Sequence, residues 1–132
     1  MNYLGIDWGY KKIGLATGSS ETRIASPFGI LEVKNFNQAI AKLEKIIKEN
    51  DIDFLVIGKP LELSGAEKDN QLYDNFIDKI KSLGVKMDFI DERMSTKLAN
   101  VLQKDFGRQD GRDDDLAAAA ILQTYLDKQG KG

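Results

Sequence analysis

The run Phe54-Leu55-Val56-Ile57-Gly58 is apolar without a break. A strand with one wet face would alternate, so an unbroken run of this length reads as a strand covered on both faces. Helical periodicity lies on either side of it. Phe36, Ile40, Leu43 and Ile47 predict a helix over about 36–49, and Leu72, Phe76, Ile80 and Leu83 mark a second, closed by Gly84. A fifth strand is predicted over 85–90. Buried strands that alternate with helices imply parallel pairing through crossovers.

The first third follows another rule. Residues 3–7 alternate, with Leu4 and Ile6 on one face and Tyr3, Gly5 and Asp7 on the other. Trp8 to Lys12 reads as a short turn, residues 13–18 as a second strand, and about 23–33 as a third. Connections this brief imply an antiparallel meander. After the fifth strand, Ser95 or Thr96 can cap a helix carrying Leu98, Val101 and Leu102. Residues 103–112 read as a loop, and 117–125 as a final helix. The expectation is one α/β domain spanning residues 1–132. Its mixed five-stranded sheet has three antiparallel strands, then parallel strands, with helices on its faces.

Composition narrows the chemistry. The 132 residues include no cysteine and no histidine. That removes disulfides, thiolate nucleophiles, a Ser-His-Asp triad and the common zinc sites. Acid–base or metal chemistry must rest on carboxylates, lysines, tyrosines or water, and oxygen ligands suit magnesium or manganese. Nineteen Lys and Arg against 21 Asp and Glu leave a net charge of −2. That argues against a broad non-specific nucleic-acid binder, but not against a site where acids hold metal and bases cluster locally. No segment resembles a leader or a bilayer span, so a cytoplasmic location is the default.

Three groups of acids stand at expected element ends. Asp7 ends the first strand, Asp91 and Glu92 end the fifth, and Asp113, Asp114 and Asp115 open the final helix. Asp7 and Glu92 would approach each other if strands one and five both lay near the sheet centre. Clustered carboxylates repel, and a cation among them relieves the repulsion. Each group also has a plain reading. Asp7 can be a turn aspartate, Asp91 and Glu92 can pair locally with Arg93, and the aspartates at 113–115 can cap a helix and complement its dipole. Trp8 and Tyr10 can stack on a base, although half-buried packing suits Trp8 better.

Several blocks, in this order and spacing, resemble the YqgF-type family over nearly the whole chain. They are Gly5-Ile6-Asp7-Trp8-Gly9, then Lys12-Ile13-Gly14-Leu15-Ala16, then Val56-Ile57-Gly58-Lys59-Pro60-Leu61 with Gly65. Asp91-Glu92-Arg93-Met94-Ser95-Thr96 with Ala99 follows, and then Asp114 with 117–126. The resemblance implies an RNase H-like fold and a metal-dependent endonuclease. Asp7, Glu92 and Asp114 would be both catalytic and metal-binding, with Mg2+ or Mn2+ as cofactor. Asp113 or Asp115 replaces Asp114 under a one-residue shift. Substrate contacts would come from Lys11, Lys12, Lys59, Arg93, Arg108 and Arg112. The family usually has Arg before Ile-Gly. Lys12 keeps that charge but loses bidentate phosphate recognition.

The implied substrate is structured RNA, through processing of the 5′ end of pre-16S rRNA within ribosomal precursor particles. Branched DNA, cut as a Holliday junction, is the second enzyme reading. A homodimer would suit the junction's paired strands, and a monomer is equally compatible with the sequence. A third reading is a non-catalytic RNA-binding ribosome-assembly factor. The Asp-x-Gly turn also resembles actin-like ATPases, but those clasp a nucleotide between two such domains and this length supplies one.

Overall fold

A computed structural model describes residues 1–9, 11–59, 67–106 and 114–129; within them the side chains of residues 67–70, Arg93, Thr96, Gln103, Phe106 and Asp114 lie outside the description. The elements are β1 (Asn2–Asp7), β2 (Lys12–Ser19), β3 (Ser26–Glu32), α1 (Phe36–Glu49), β4 (Phe54–Lys59), α2 (Glu67–Lys81), β5 (Lys86–Asp91), a 3-10 turn (Glu92–Met94), α3 (Thr96–Phe106) and α4 (Asp114–Gln129). Their order is the expected one, with the 3-10 turn added.

The five strands form one sheet in the order β3-β2-β1-β4-β5. β1 pairs antiparallel with β2 and parallel with β4, and β4 pairs parallel with β5. Strand β1 is central, as its position between the hairpin and the crossover units requires. Strand β5 is not: it is an edge strand, with β4 between it and β1. Two boundaries also differ from the sequence reading. Helix α3 continues to Phe106, so residues 103–106 are helical rather than loop, with Lys104 in the last turn where the helix dipole favours a cation. Helix α4 begins at Asp114, three residues before the alanine run.

The alternation of β1 sorts the two faces. Leu4 and Ile6 join Ile13, Leu15, Leu55 and Ile57 in a core covered by Leu43 and Ile47 of α1 and by Phe76 and Ile80 of α2. Helix α1 is started by Asn35, whose side-chain oxygen accepts from the backbone N–H of Asn37 at 2.9 Å and of Gln38 at 3.3 Å. On the other face Tyr3, Ala16, Val56 and Ile90 pack against Ala118, Ile121, Leu122 and Tyr125 of α4. As its unbroken apolar run requires, β4 contributes to both cores.

Small residues set the spacing between sheet and α4. A β-carbon placed on Gly5 would lie 2.9 Å from Cβ of Leu122 and 3.1 Å from the backbone oxygen of Ala118. Glycine on the strand and alanine on the helix therefore allow the helix backbone to settle almost onto β1. Contacts run in opposite orders along the two elements. Tyr125 meets Tyr3 with ring centroids 6.1 Å apart, while Ala118 and Leu122 meet Gly5. Helix α4 thus runs antiparallel to β1, and its first turn lies toward the end of β1 that carries Asp7. The far end is tied by the Tyr125 hydroxyl, which donates to Oδ2 of Asp88 at 3.0 Å.

Two predictions follow from this packing. Gly5→Ala should lower stability by about 1–3 kcal/mol, because Ala118 opposes it with backbone that cannot rotate away; the urea midpoint reads the loss. Burial, then the Asp88 hydrogen bond and charge, push the Tyr125 hydroxyl up to about 12. A tyrosine in the unfolded chain ionises near pH 10. The folded state therefore keeps a proton that the unfolded state has lost. The stability this group contributes is complete below pH 10 and declines as pH rises toward 12. Unfolding measured across that window should show a shallower pH dependence in Tyr125→Phe.

Candidate active site at the carboxyl edge of the sheet

Strands β1, β4 and β5 run parallel and end together at Asp7, Lys59 and Asp91. Open α/β sheets place their sites at such edges, where the strand connections diverge. In register, Asp7 faces Gly58 of β4, and Gly58 faces Ile90 of β5. Residues paired across a sheet share a face, and Gly58 and Ile90 lie on the face covered by α4. Asp7 therefore points toward the side from which α4 approaches.

With β5 at the edge, Glu92 must reach across β4 to meet Asp7. Gly58 is what allows it. A β-carbon built on Gly58 would stand 3.4 Å from Oε1 of Glu92 and 2.5 Å from Cδ1 of Ile121. The Glu92 carboxylate and the Ile121 side chain thus share the space that a side chain at position 58 would fill. That space is next to Asp7. Glu92 thus approaches the α4 face at Gly58, the residue paired with Asp7, from beyond the edge strand rather than from a strand next to β1. The sequence signal was Gly58 at the end of an otherwise branched apolar run, read there as a strand terminus.

Glu92 is held by its own turn. It opens the 3-10 turn after β5, and its backbone oxygen accepts from both the N–H and the hydroxyl of Ser95, each at 3.1 Å. Ser95 is buried, and its own backbone oxygen accepts from Ala99 N–H at 2.8 Å inside α3. Sequence reading gave Ser95 only a possible cap role. Ser95 stands in that cap position, directly before α3, and its hydroxyl also anchors the turn that carries Glu92.

Asp7 and Glu92 are both half-buried and both engaged with neighbouring groups. Asp115, in the first turn of α4, is 4% exposed and also engaged. Burial separates it from a solvated helix cap. The side chains of Asp114 and Arg93 lie outside the description, as do residues Tyr10, Arg108, Arg112 and Asp113 altogether. Among the described residues, no group of three or more acids is gathered closely enough to hold a metal ion. What the structure places at one edge is Asp7, at the end of β1, and the Glu92 carboxylate, at the Gly58 that pairs with Asp7, with the first turn of α4 extending toward them.

Cations flank this edge. Lys11 and Lys12, beyond the turn after Asp7, and Lys59, one residue past Gly58, are exposed. Trp8 is half-buried, its ring 4.5 Å from that of Phe76 and 6.3 Å from that of Tyr73. It is packing, not a free stacking surface. Tyr73, from α2, is buried below it and was not singled out in the sequence. Burial, then the charges of Glu92 and Asp74, push its hydroxyl up to about 12.

Comparison with known proteins agrees with this architecture. A protein named "Putative pre-16S rRNA nuclease" from Rickettsia akari (strain Hartford) is 35% identical over 130 residues, covering 94% of this chain and 84% of that protein. Among solved structures, Thermus thermophilus RuvC in complex with a Holliday junction substrate superposes with a TM-score of 0.72 at 15% identity, covering 100% of this chain and 96% of that one. The large terminase nuclease of thermophilic phage G20c, with bound zinc, superposes with a TM-score of 0.61 at 12% identity, covering 92% and 79%. These likenesses show an RNase H-like fold. The profile of the RuvX Holliday junction resolvase family matches residues 1–128, and with the relative at 35% identity it shows that the chain belongs to the RuvX/YqgF nuclease family.

Proposed function

We propose that the protein is a divalent-metal-dependent endonuclease that hydrolyses phosphodiester bonds in structured RNA, trimming the 5′ end of pre-16S rRNA in the cytoplasm. The observation that carries this reading is the Glu92 carboxylate lying over Gly58 beside Asp7. Two half-buried acids brought together across an intervening strand repel each other, and a cation between them offsets that cost. The donors are carboxylate oxygens, and no histidine or cysteine exists in the chain to favour a softer metal. This donor set fits Mg2+ or Mn2+.

Asp7 and Glu92 would hold the ion, and Asp114 would supply the third carboxylate from the start of α4. When bound, the metal lowers the pKa of a coordinated water and offsets charge on the phosphoryl oxygens. The remaining work falls to the protein. Lys11, Lys12 and Lys59 would neutralise phosphates along the edge, with Arg93, Arg108 and Arg112 as further contacts. Local placement of these cations reconciles a net charge of −2 with a polyanionic substrate. The pre-16S substrate is supported by the name of the Rickettsia relative, whereas the family profile is named for Holliday junctions.

The test sets the two substrates side by side. Purified protein is incubated with Mg2+ or Mn2+ and either a precursor ribosomal RNA fragment or a synthetic four-way DNA junction. The RNA fragment should be cut. Asp7→Asn and Glu92→Gln should each lower the rate by at least about a hundredfold, because each removes a charge on which metal binding rests. Cutting of the junction alone would replace the RNA reading with the DNA one. Equal rates in both variants would remove these two acids from the chemistry. A folded wild type that binds metal and cuts neither substrate would favour the assembly-factor role.

A further inference from the structure

The charges around the carboxyl edge are sorted by side. Toward β5, Asp74 and Asp78 of α2 line a groove with Lys59, Lys81 and Phe89, and β5 itself carries Asp88 and Asp91. Toward β3, cations gather. The backbone N–H of Val33 donates to the backbone oxygen of Lys11 at 2.8 Å, which sets Lys34 beside the turn that carries Lys11 and Lys12. The Phe76 ring stands 4.5 Å from that of Trp8 and 6.3 Å from that of Phe36, so the start of α1 adjoins the end of β1. One turn further along α2, Lys79 reaches the same start: its Nζ donates to Oδ1 of Asn37 at 3.2 Å.

Lys11, Lys12, Lys34 and Lys79 thus come to one corner, where β2, β3 and α1 meet, and all four are exposed. Glu32 is the acid that the described residues place among them. It pairs in register with Lys12, and its Oε2 is 3.6 Å from Nζ of Lys34. The side chains of that ion pair are 84% and 63% exposed, so water screens it and it holds Lys34 weakly. The first turn of α1, where the helix dipole favours an acid, carries none. Like charges gathered in this way repel, and packing does not call for them, since all four lie at the surface.

A polyanion accounts for the arrangement. Strand β3 lies two strands from β1, about 10 Å at ordinary strand spacing. The corner is on the α1 side of the sheet, whereas Asp7 faces the α4 side, so a molecule that touches both must pass over the carboxyl edge. We infer that the corner binds phosphates in the arm of nucleic acid flanking the cleaved bond, and that the substrate leaves the acids across β2 toward α1, not across β5. The inference rests on the nuclease reading above and adds Lys34 and Lys79 to the substrate contacts. These two residues hold the substrate and take no part in the chemistry.

The test uses the double variant Lys34→Gln with Lys79→Gln, which removes two charges and leaves a donor for Asn37. Affinity for a precursor ribosomal RNA fragment is read by fluorescence anisotropy in EDTA, without cleavage, over a series of salt concentrations. Binding should weaken about tenfold at low salt, and the slope of log affinity against log salt should become shallower by about 1.4–1.8, the share of two phosphate contacts. With Mn2+ and cleaved substrate, KM should rise and kcat should hold. Lys34→Arg with Lys79→Arg should bind within about twofold of wild type, because charge is kept. Lys81→Gln with Lys86→Gln, on the β5 side, should also change affinity by less than about twofold. Unchanged affinity and slope in the first variant would overturn the inference. So would an equal loss in the β5-side variant, which would mean a general charge effect, or an equal loss in the arginine variant, which would mean a structural role. Wild type that binds RNA without cutting it would sink the nuclease reading, while the salt slopes would still judge the corner. Wild type that binds neither the RNA nor a four-way DNA junction would sink both.

Discussion

The close seating of α4 on the sheet is the constraint on which the rest of the molecule depends. Gly5 and Gly58 present bare backbone to a helix whose facing residues include Ala118, Ile121 and Leu122. Side chains of ordinary size at positions 5 and 58 would hold the helix a few ångströms further off. The first turn of α4, with its aspartates, would then stand away from the end of β1. The same glycine that admits Ile121 also admits Glu92, so one missing side chain on β4 serves both the core and the site. Close packing of small residues gains dispersion contacts along the whole helix, which helps offset the entropy of ordering glycine.

From that seating the chemistry follows. Parallel strands end at a common edge, and the acid of the central strand pairs in register with the glycine that the acid carried beyond the edge strand approaches. Glu92 gains reach from a 3-10 turn fixed by Ser95 to the start of α3. The arrangement places two half-buried acids at one sheet edge, a setting in which a cation offsets their repulsion. Structural strength lies elsewhere: in the double-faced core around β4 and in the aromatic cluster of Tyr3, Phe54 and Tyr125 at the opposite end of the sheet. A firm far end leaves the carboxyl edge free to carry residues that packing alone would not select.

Much of this was legible in the residues. The alternation of β1 placed Asp7 opposite Leu4 and Ile6, and the helical spacing of Phe36 to Ile47 gave the extent of α1, because period is a direct record of which side is buried. The place of β5 was not legible, since strand order depends on which crossover fills which side of the sheet and leaves no mark in β5 itself. The part played by Gly58 was hidden for a related reason. A glycine at a strand end looks like punctuation until the side chain that occupies its space is known, and here that side chain arrives from 34 residues further on. Tyr73 was not singled out, because its hydroxyl's lack of a partner among the described residues is a property of three dimensions. The Gln123 clamp, which accepts from Ala25 N–H and donates to the Arg23 backbone oxygen, was invisible for the same reason.

The central claim is that Asp7 and Glu92 form one divalent-cation site across Gly58. Its most direct test is a crystal of the wild-type protein soaked in Mn2+, with the ion located by its anomalous scattering. The account predicts an anomalous peak between the Asp7 and Glu92 carboxylates, on the α4 side of Gly58, with an aspartate from the first turn of α4 as a further ligand. That peak would also choose between Asp114 and Asp115. A peak elsewhere, or fully exchanged crystals with none at this edge, would contradict it.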